Sequence, residues 1–172
     1  KWDKKSRLVK IPKKIKVIKE IKKFIINNNL DGYLIPKNDN YFTEYSNINN
    51  LEKVSKFTGS AGFALILRKV NYLFVDGRYT IQAKKQSGKK FKIFEIPFIF
   101  PKDLISIKNF KIGFDAKLFT QVTLERYFEG NVNLIPCSFV FRNKNKKKFN
   151  NIYHLNKSIT GQGILSKINE VK

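Results

Sequence analysis

Tyr72-Leu73-Phe74-Val75-Asp76-Gly77-Arg78-Tyr79-Thr80-Ile81-Gln82-Ala83 reads as a short buried strand that passes through a tight turn into a helix. Tyr72 to Val75 is an apolar run of strand length, rich in aromatic and β-branched residues. Asp76 is a candidate helix N-cap, and Gly77 lets the backbone turn sharply beside it. From Tyr79 to Lys85 the residues favour a helix, and Ser87-Gly88 supplies a stop. Arg78 then sits where a helix presents unpaired N–H groups and the positive end of its dipole. A cation is disfavoured there by roughly 0.3–1 kcal/mol. Three arrangements answer this: a pair with Asp76 or another carboxylate, a side chain extended into solvent, or a site where the guanidinium and free N–H donors hold an anion. Spacing alone does not choose among them.

Upstream, Phe57-Thr58-Gly59-Ser60-Ala61-Gly62 leads into the apolar run Phe63-Ala64-Leu65-Ile66-Leu67. The small residues allow close backbone approach and positive φ at the glycines. This is not the G-x-S-x-G nucleophile elbow, since Gly59 directly precedes Ser60, and it lacks the lysine of a phosphate-binding loop. A catalytic Ser60 would need a base, and His154 is the only histidine. Close packing of the loop against the sheet is the better reading.

Together, FTGSAG, a strand, and DGRYTIQA resemble the N-terminal domain of the creatinase/aminopeptidase P superfamily, nearest to its Xaa-Pro aminopeptidases. The resemblance runs from about Asp31 to the end of the chain and thins beyond Gly130. Tyr33-Leu34-Ile35-Pro36 and Lys111-Ile112-Gly113-Phe114-Asp115 match further family segments. After the first of these, the family tends to carry an acidic residue, a His and a Ser-Glu-Tyr-like stretch; Asp39, Tyr41, Thr43, Glu44 and Tyr45 stand here, so Tyr41 replaces the His. Asn49-Asn50-Leu51 occupies the region where an arginine is often found.

One hundred and seventy-two residues make one ordinary domain, or one domain and part of another. With 42% hydrophobic and 14% aromatic residues the chain can fill a core. No apolar run approaches the roughly 20 residues that span a bilayer, and the basic N-terminus has no signal-peptide pattern. A single cysteine, Cys137, excludes an internal disulfide and fits a reducing, cytoplasmic compartment. The net charge of +22 invites a nucleic-acid partner. Against it, the basic residues are nearly all lysines, scattered apart from Lys144 and Lys146-Lys147-Lys148, without a stripe interleaved with stacking aromatics. Lys, Asn, Ile and Phe also share A/T-rich codons. A start at Lys1 and the lack of methionine suggest a fragment or an excised region.

Residues 1–10 read as a solvated lead-in. Ile15, Ile18, Ile21 and Ile25 place an amphipathic helix between Pro12 and Asn29. Strands follow at 33–36, 62–67 and 72–75, the last two joined as a hairpin through 68–71. Another strand covers 91–96, a short helix 101–107 starts at a proline, a strand covers 111–115, a Thr120-capped helix runs to Glu129, and a last strand covers 132–135. Strands alternating with helices, plus one hairpin, predict an α/β fold: a mixed β-sheet flanked by helices. The resemblance implies the ribonuclease H-like, creatinase N-terminal arrangement. The expected division is a creatinase-type domain over 1–141, a basic linker over 142–151, and the start of a second, middle domain over 152–172, with an apolar-faced helix at Ile164–Val171.

The chain offers no ligand cluster such as H-E-x-x-H, so no catalytic residue and no metal ligand is assigned within it. The resemblance implies that a complete enzyme hydrolyses the bond before proline in a peptide. It implies a dinuclear metal centre, usually manganese, held by a downstream domain. The N-terminal domain would line the active-site cleft and support a homodimer, with Arg78 reaching the peptide substrate and Asp76, Tyr79 and Gln82 serving structure. The alternative is a free-standing, non-catalytic interaction module of the same fold, with nucleic acid among its partners through its charge.

Overall fold

Apolar residues at alternate positions of Tyr33–Ile35, Phe63–Ile66 and Leu73–Val75 project to opposite faces of a sheet, and both sets are buried. Such runs demand helices on both sides. In the computed structural model, which describes residues 13–43, 49–105, 107, 109–130, 132–141 and 153–171, that demand is met. The lead-in at 1–10, Glu44, Tyr45 and the linker expected at 142–151, with its lysines, lie outside the described residues.

Six strands, β1 (Gly32–Pro36), β2 (Gly62–Leu67), β3 (Asn71–Asp76), β4 (Lys92–Ile96), β5 (Phe110–Phe114) and β6 (Val132–Pro136), form one sheet in the order β4-β3-β2-β1-β5-β6. β2 runs antiparallel to β1 and β3, while β3–β4, β1–β5 and β5–β6 are parallel, so the sheet is mixed. One face carries Tyr33, Ile35, Ala64, Ile66, Leu73 and Val75. Ile18, Ile21 and Ile25 of α1 (Lys13–Asn27), Leu51 and Val54 of α2 (Asn50–Ser55) and Ala83 of α3 (Thr80–Ser87) cover it. The other face carries Leu34, Phe63, Leu65, Phe74 and Ile112, packed with Leu124 and Phe128 of α5 (Gln121–Phe128). At about 25 cal/mol per Å² of apolar surface buried, these two layers are the dominant favourable term of the fold.

Local chemistry sets the bounds of several elements. Asn29 takes a left-handed turn (φ 52°) after α1, and the Leu30 N–H returns to Ile25 O at 2.9 Å. Arg68 then fixes the turn into β1, donating from Nε and Nη2 to Leu30 O at 2.9 and 2.6 Å and pairing with Asp31 at 3.2 Å. Thr120 caps α5 by accepting from the Thr123 N–H.

Three expectations change. The helix predicted over 101–107 is a single turn, α4 (Pro101–Leu104), because Ile105 leaves the helix in extended backbone to bury its side chain against the second face. Asn49-Asn50-Leu51, read only as a departure from the family pattern, opens α2, with the Asn49 side chain accepting from the Glu52 N–H at 2.9 Å. Gly77 has no positive φ; a Cβ there would meet Glu95 Oε1 at 2.6 Å, so its smallness makes room for a side chain of β4.

The chain divides into two compact units, Lys1–Phe141 and Arg142–Lys172. In the second, α6 (Lys157–Thr160) ends at Gly161 (φ 72°), and α7 (Ile164–Val171) follows with no buried residue. Among the described residues no helix is long and apolar enough to cross a membrane.

Candidate functional site

Antiparallel pairing of β2 with β3 sets Gly62 opposite Val75, one residue before Asp76. The loop that enters β2 and the turn that leaves β3 therefore meet at one edge of the sheet, where the parallel strands β1, β3 and β4 also end. Crevices at the carboxyl ends of parallel strands are where open α/β sheets place their ligands.

Hydrogen bonds join the two motifs into one structure. Ser60 Oγ and Tyr79 Oη lie 2.8 Å apart. Gln82 Nε2 and Gln86 Nε2 both donate to Thr58 Oγ1, at 2.8 and 3.0 Å, and the Thr58 N–H donates to Gln86 Oε1 at 3.0 Å. Gln82 and Gln86 are one helical turn apart on α3 and face the loop together. Beneath them Phe57 is fully buried and meets the Tyr79 ring edge-on, with centroids 5.8 Å apart. Ser87 Oγ donates to Ser55 O at 2.8 Å, tying α3 to the end of α2. The expected close packing of the loop, and the structural roles of Tyr79 and Gln82, take this form.

The glycines act differently from one another. Gly59 packs on the Phe57 ring, 2.2 Å from where a Cβ would stand. Of the loop's two glycines only Gly62 has positive φ (149°), and a Cβ there would meet Phe74 O at 2.7 Å.

Arg78 lies on a 3₁₀ turn, Gly77–Tyr79, that precedes α3, and not in the first turn of the α-helix itself. Asp76 Oδ1 accepts from the Arg78 N–H at 3.0 Å and from Arg78 Nε at 2.9 Å. The first of the three open arrangements is thus the observed one, and the backbone donor that an anion site would use is occupied by the cap. The Arg78 guanidinium holds the Asp76 carboxyl below the usual carboxylate range, and the Asp76 bonds push the Arg78 guanidinium up. The Arg78 side chain remains 74% exposed and its guanidinium lies 5.6 Å from the Tyr79 ring centroid.

Arg78 faces a cleft of about 480 Å³. Lys37 and Asn38 after β1, Ser60 to Phe63, Ile96 at the end of β4, and Phe42, Thr43 and Tyr127 complete it. Tyr127 stacks on Phe63 with centroids 4.1 Å apart, and burial pushes its hydroxyl up to about 12. The cleft thus has two cations, Lys37 and Arg78, above an aromatic floor. Such a surface can hold a carboxylate or peptide carbonyls beside an apolar side chain. The contributions of Lys37, Phe42 and Tyr127 were hidden in the sequence, because Lys37 and Phe42 come from the segment after β1 and Tyr127 from α5, far along the chain and with no shared spacing.

Among the described residues no group of three or more His, Cys, Asp or Glu side chains could hold a metal ion. These residues do not fit a dinuclear centre. His154 falls in the second unit.

Residues 18–143 match the family described as the creatinase/prolidase N-terminal domain. The chain belongs to that family. Both motifs, the whole six-stranded sheet and every residue of the Arg78 cleft fall inside the matched stretch of this creatinase/prolidase N-terminal domain. Over 87% of its length the chain is 27% identical to a Laccaria bicolor protein named for Xaa-Pro aminopeptidase P, of which it covers 26%. Xaa-Pro aminopeptidase 1 of Dictyostelium discoideum is 30% identical over 62% of this chain and 18% of its own length. The chain spans between a quarter and a third of the length of two curated fungal relatives that match nearly all of it. An X-prolyl aminopeptidase from Caenorhabditis elegans, described as a cytosolic enzyme with a di-nuclear active site, superposes with a TM-score of 0.61 at 21% identity, over 72% of this chain and 24% of that one. A creatinase/prolidase-like N-terminal domain from Corynebacterium diphtheriae superposes with a TM-score of 0.58 at 19% identity, over 74% of this chain and 98% of that one. At these identities the superpositions establish the fold.

Proposed function

We propose that this chain is the non-catalytic N-terminal domain of a metal-dependent Xaa-Pro aminopeptidase, and that Arg78 contacts the peptide substrate in the complete enzyme. The observation that carries this reading is the convergence of FTGSAG and DGRY on one cleft within the family domain. The chain covers 26–29% of the fungal relatives that match nearly all of it, which leaves room in such a protein for a separate hydrolytic domain. The di-nuclear site named for the nematode enzyme supports a two-metal centre, read here as manganese, supplied from outside these residues. In this reading the domain walls one side of the active-site cleft and takes part in a homodimer. The single thiol of Cys137 and the cytosolic description of the nematode enzyme support the cytoplasm.

Within the chain, Arg78 has a defined task. Asp76 accepts from Nε at 2.9 Å and from Nη2 at 3.4 Å, which fixes the direction of the guanidinium while the side chain stays largely exposed at the cleft. A peptide carboxylate or carbonyl can then be held by planar, forked donors that a lysine cannot reproduce. The test is to read the coding locus on both sides of these codons, express the longest open frame, and assay release of the residue before proline. Arg78→Lys in that protein is expected to raise KM or lower kcat by about tenfold while its melting temperature stays unchanged. Unaltered kinetics would remove Arg78 from the substrate site, and a frame without a metal-ligand domain would remove the aminopeptidase.

A further inference from the structure

At the far end of α3 from the Arg78 cleft, the pairs Lys84-Lys85 and Lys89-Lys90, close together in sequence, are joined by Lys56 from another segment. Lys56, Lys84, Lys85, Lys89 and Lys90 make up half of the ten residues lining a depression of about 410 Å³. In the whole chain lysine is 30 of 172 residues. Among the described residues no Asp or Glu lines the depression, and Val54 is the one apolar side chain there. None of the five lysines takes part in an ion pair among the described residues. Three segments bring them together. Lys56 is the C-cap of α2, turned by a left-handed backbone (φ 71°). Lys84 and Lys85 occupy the last turn of α3, and Lys89 and Lys90 the connection into β4.

Two helices end here, and lysine is a common neighbour of exposed helix carbonyls. Each helix end carries about half a negative charge, so the two together offset roughly one of the five cations. The remainder repel one another across a small space. An occupant that relieves this must carry several negative charges within the volume of a small molecule. Ammonium groups act as compact point charges without a fork, so they select by charge density, and a phosphate group carries roughly twice the charge of a carboxylate. A nucleic-acid duplex presents its phosphates along a rod and is met by an extended stripe. Here the cations surround a depression.

We propose that this depression binds a small soluble anion carrying three or more phosphate groups, of the kind offered by an inositol polyphosphate or a nucleoside triphosphate. Inositol hexakisphosphate and ATP, added separately to the full 172-residue chain, are the probes, with sodium sulfate at matched ionic strength as the control. Titration calorimetry is expected to give one site, and the melting temperature to rise with the phosphate ligand above the sulfate control. A triple variant, Lys84→Gln, Lys85→Gln and Lys89→Gln, is expected to weaken binding by about tenfold or more. It removes like-charge repulsion, so it should fold at least as well as the parent chain. The matched variant Lys19→Gln, Lys23→Gln and Lys111→Gln removes three exposed lysines elsewhere and is expected to keep the affinity. Equal weakening in both triples, or no saturable site for either probe, overturns the proposal. So does a 20-base-pair DNA duplex that binds more tightly than both probes and is lost in the first triple, because the partner is then nucleic acid.

Discussion

Gly62 shows how a single backbone position holds the site together. Its φ of 149° is open to glycine and closed to residues with a Cβ, and the space is blocked by Phe74 O at 2.7 Å. A clash with backbone cannot be relieved by rotating a side chain. Gly62→Ala is therefore expected to cost about 2 kcal/mol or more, measured by urea denaturation of the chain. Gly59 faces the Phe57 ring instead, and its substitution acts on the packing below Tyr79. FTGSAG is legible as a loop of small residues, but the separate duties of its two glycines are not. They depend on β3 and on Phe57, which the local sequence does not position. Arg78 teaches the same lesson. Its place beside a turn is readable from DGRY, whereas the choice of Asp76 as partner is set by the folded turn.

At the level of elements, the sheet is closed beyond β6 by a tyrosine. Tyr33 Oη donates to Cys137 O at 3.0 Å and accepts from the Phe139 N–H at 2.9 Å, so one hydroxyl satisfies both polar groups of the chain leaving β6. Phe24 and Phe139 pack edge-on around its ring. Tyr33→Phe leaves a donor and an acceptor unpaired in a half-buried place. It is expected to destabilise the domain by about 1–3 kcal/mol in a denaturant melt and to speed amide exchange at Phe139. α7 stands at the other extreme. Ile164, Leu165, Ile168 and Val171 are 61, 78, 47 and 88% exposed, so this eight-residue helix has little beyond its own hydrogen bonds. Its amides are expected to exchange within seconds in native-state hydrogen exchange, while those of β2 exchange only on global unfolding.

For the molecule as a whole, the titration of buried tyrosines sets an alkaline limit. Burial raises Tyr127 to about 12 from an ordinary value of 10.0, and burial raises Tyr33 as well. A raised value means that the neutral phenol is favoured in the folded state. The corresponding stability is complete below pH 10 and is lost as pH climbs towards 12. For Tyr127 this is on the order of 2 kcal/mol. Thermal melts between pH 9 and 12 are expected to fall steeply for the parent chain and less steeply for Tyr127→Phe, which keeps the ring stacked between Phe63 and Phe100 and removes the proton.

Alternating apolar runs, the helical spacing of Ile18, Ile21 and Ile25, and two specific motifs were enough to determine a mixed α/β sheet, its helices on both faces and the family. These are properties of neighbours along the chain, and burial acts on them directly. Tertiary structure decided the rest. It made α2 out of Asn49 and its neighbours, and it stopped α4 at Leu104 so that Ile105 could be buried. It joined Thr58 to Gln82 and Gln86, and Ser60 to Tyr79, because antiparallel pairing sets Gly62 against Val75. It also brought Lys56 beside the sequence-local pairs Lys84-Lys85 and Lys89-Lys90 around one depression. The physical reason is common to these cases. Contacts between residues far apart in sequence depend on strand register and helix placement, and composition and local period carry neither.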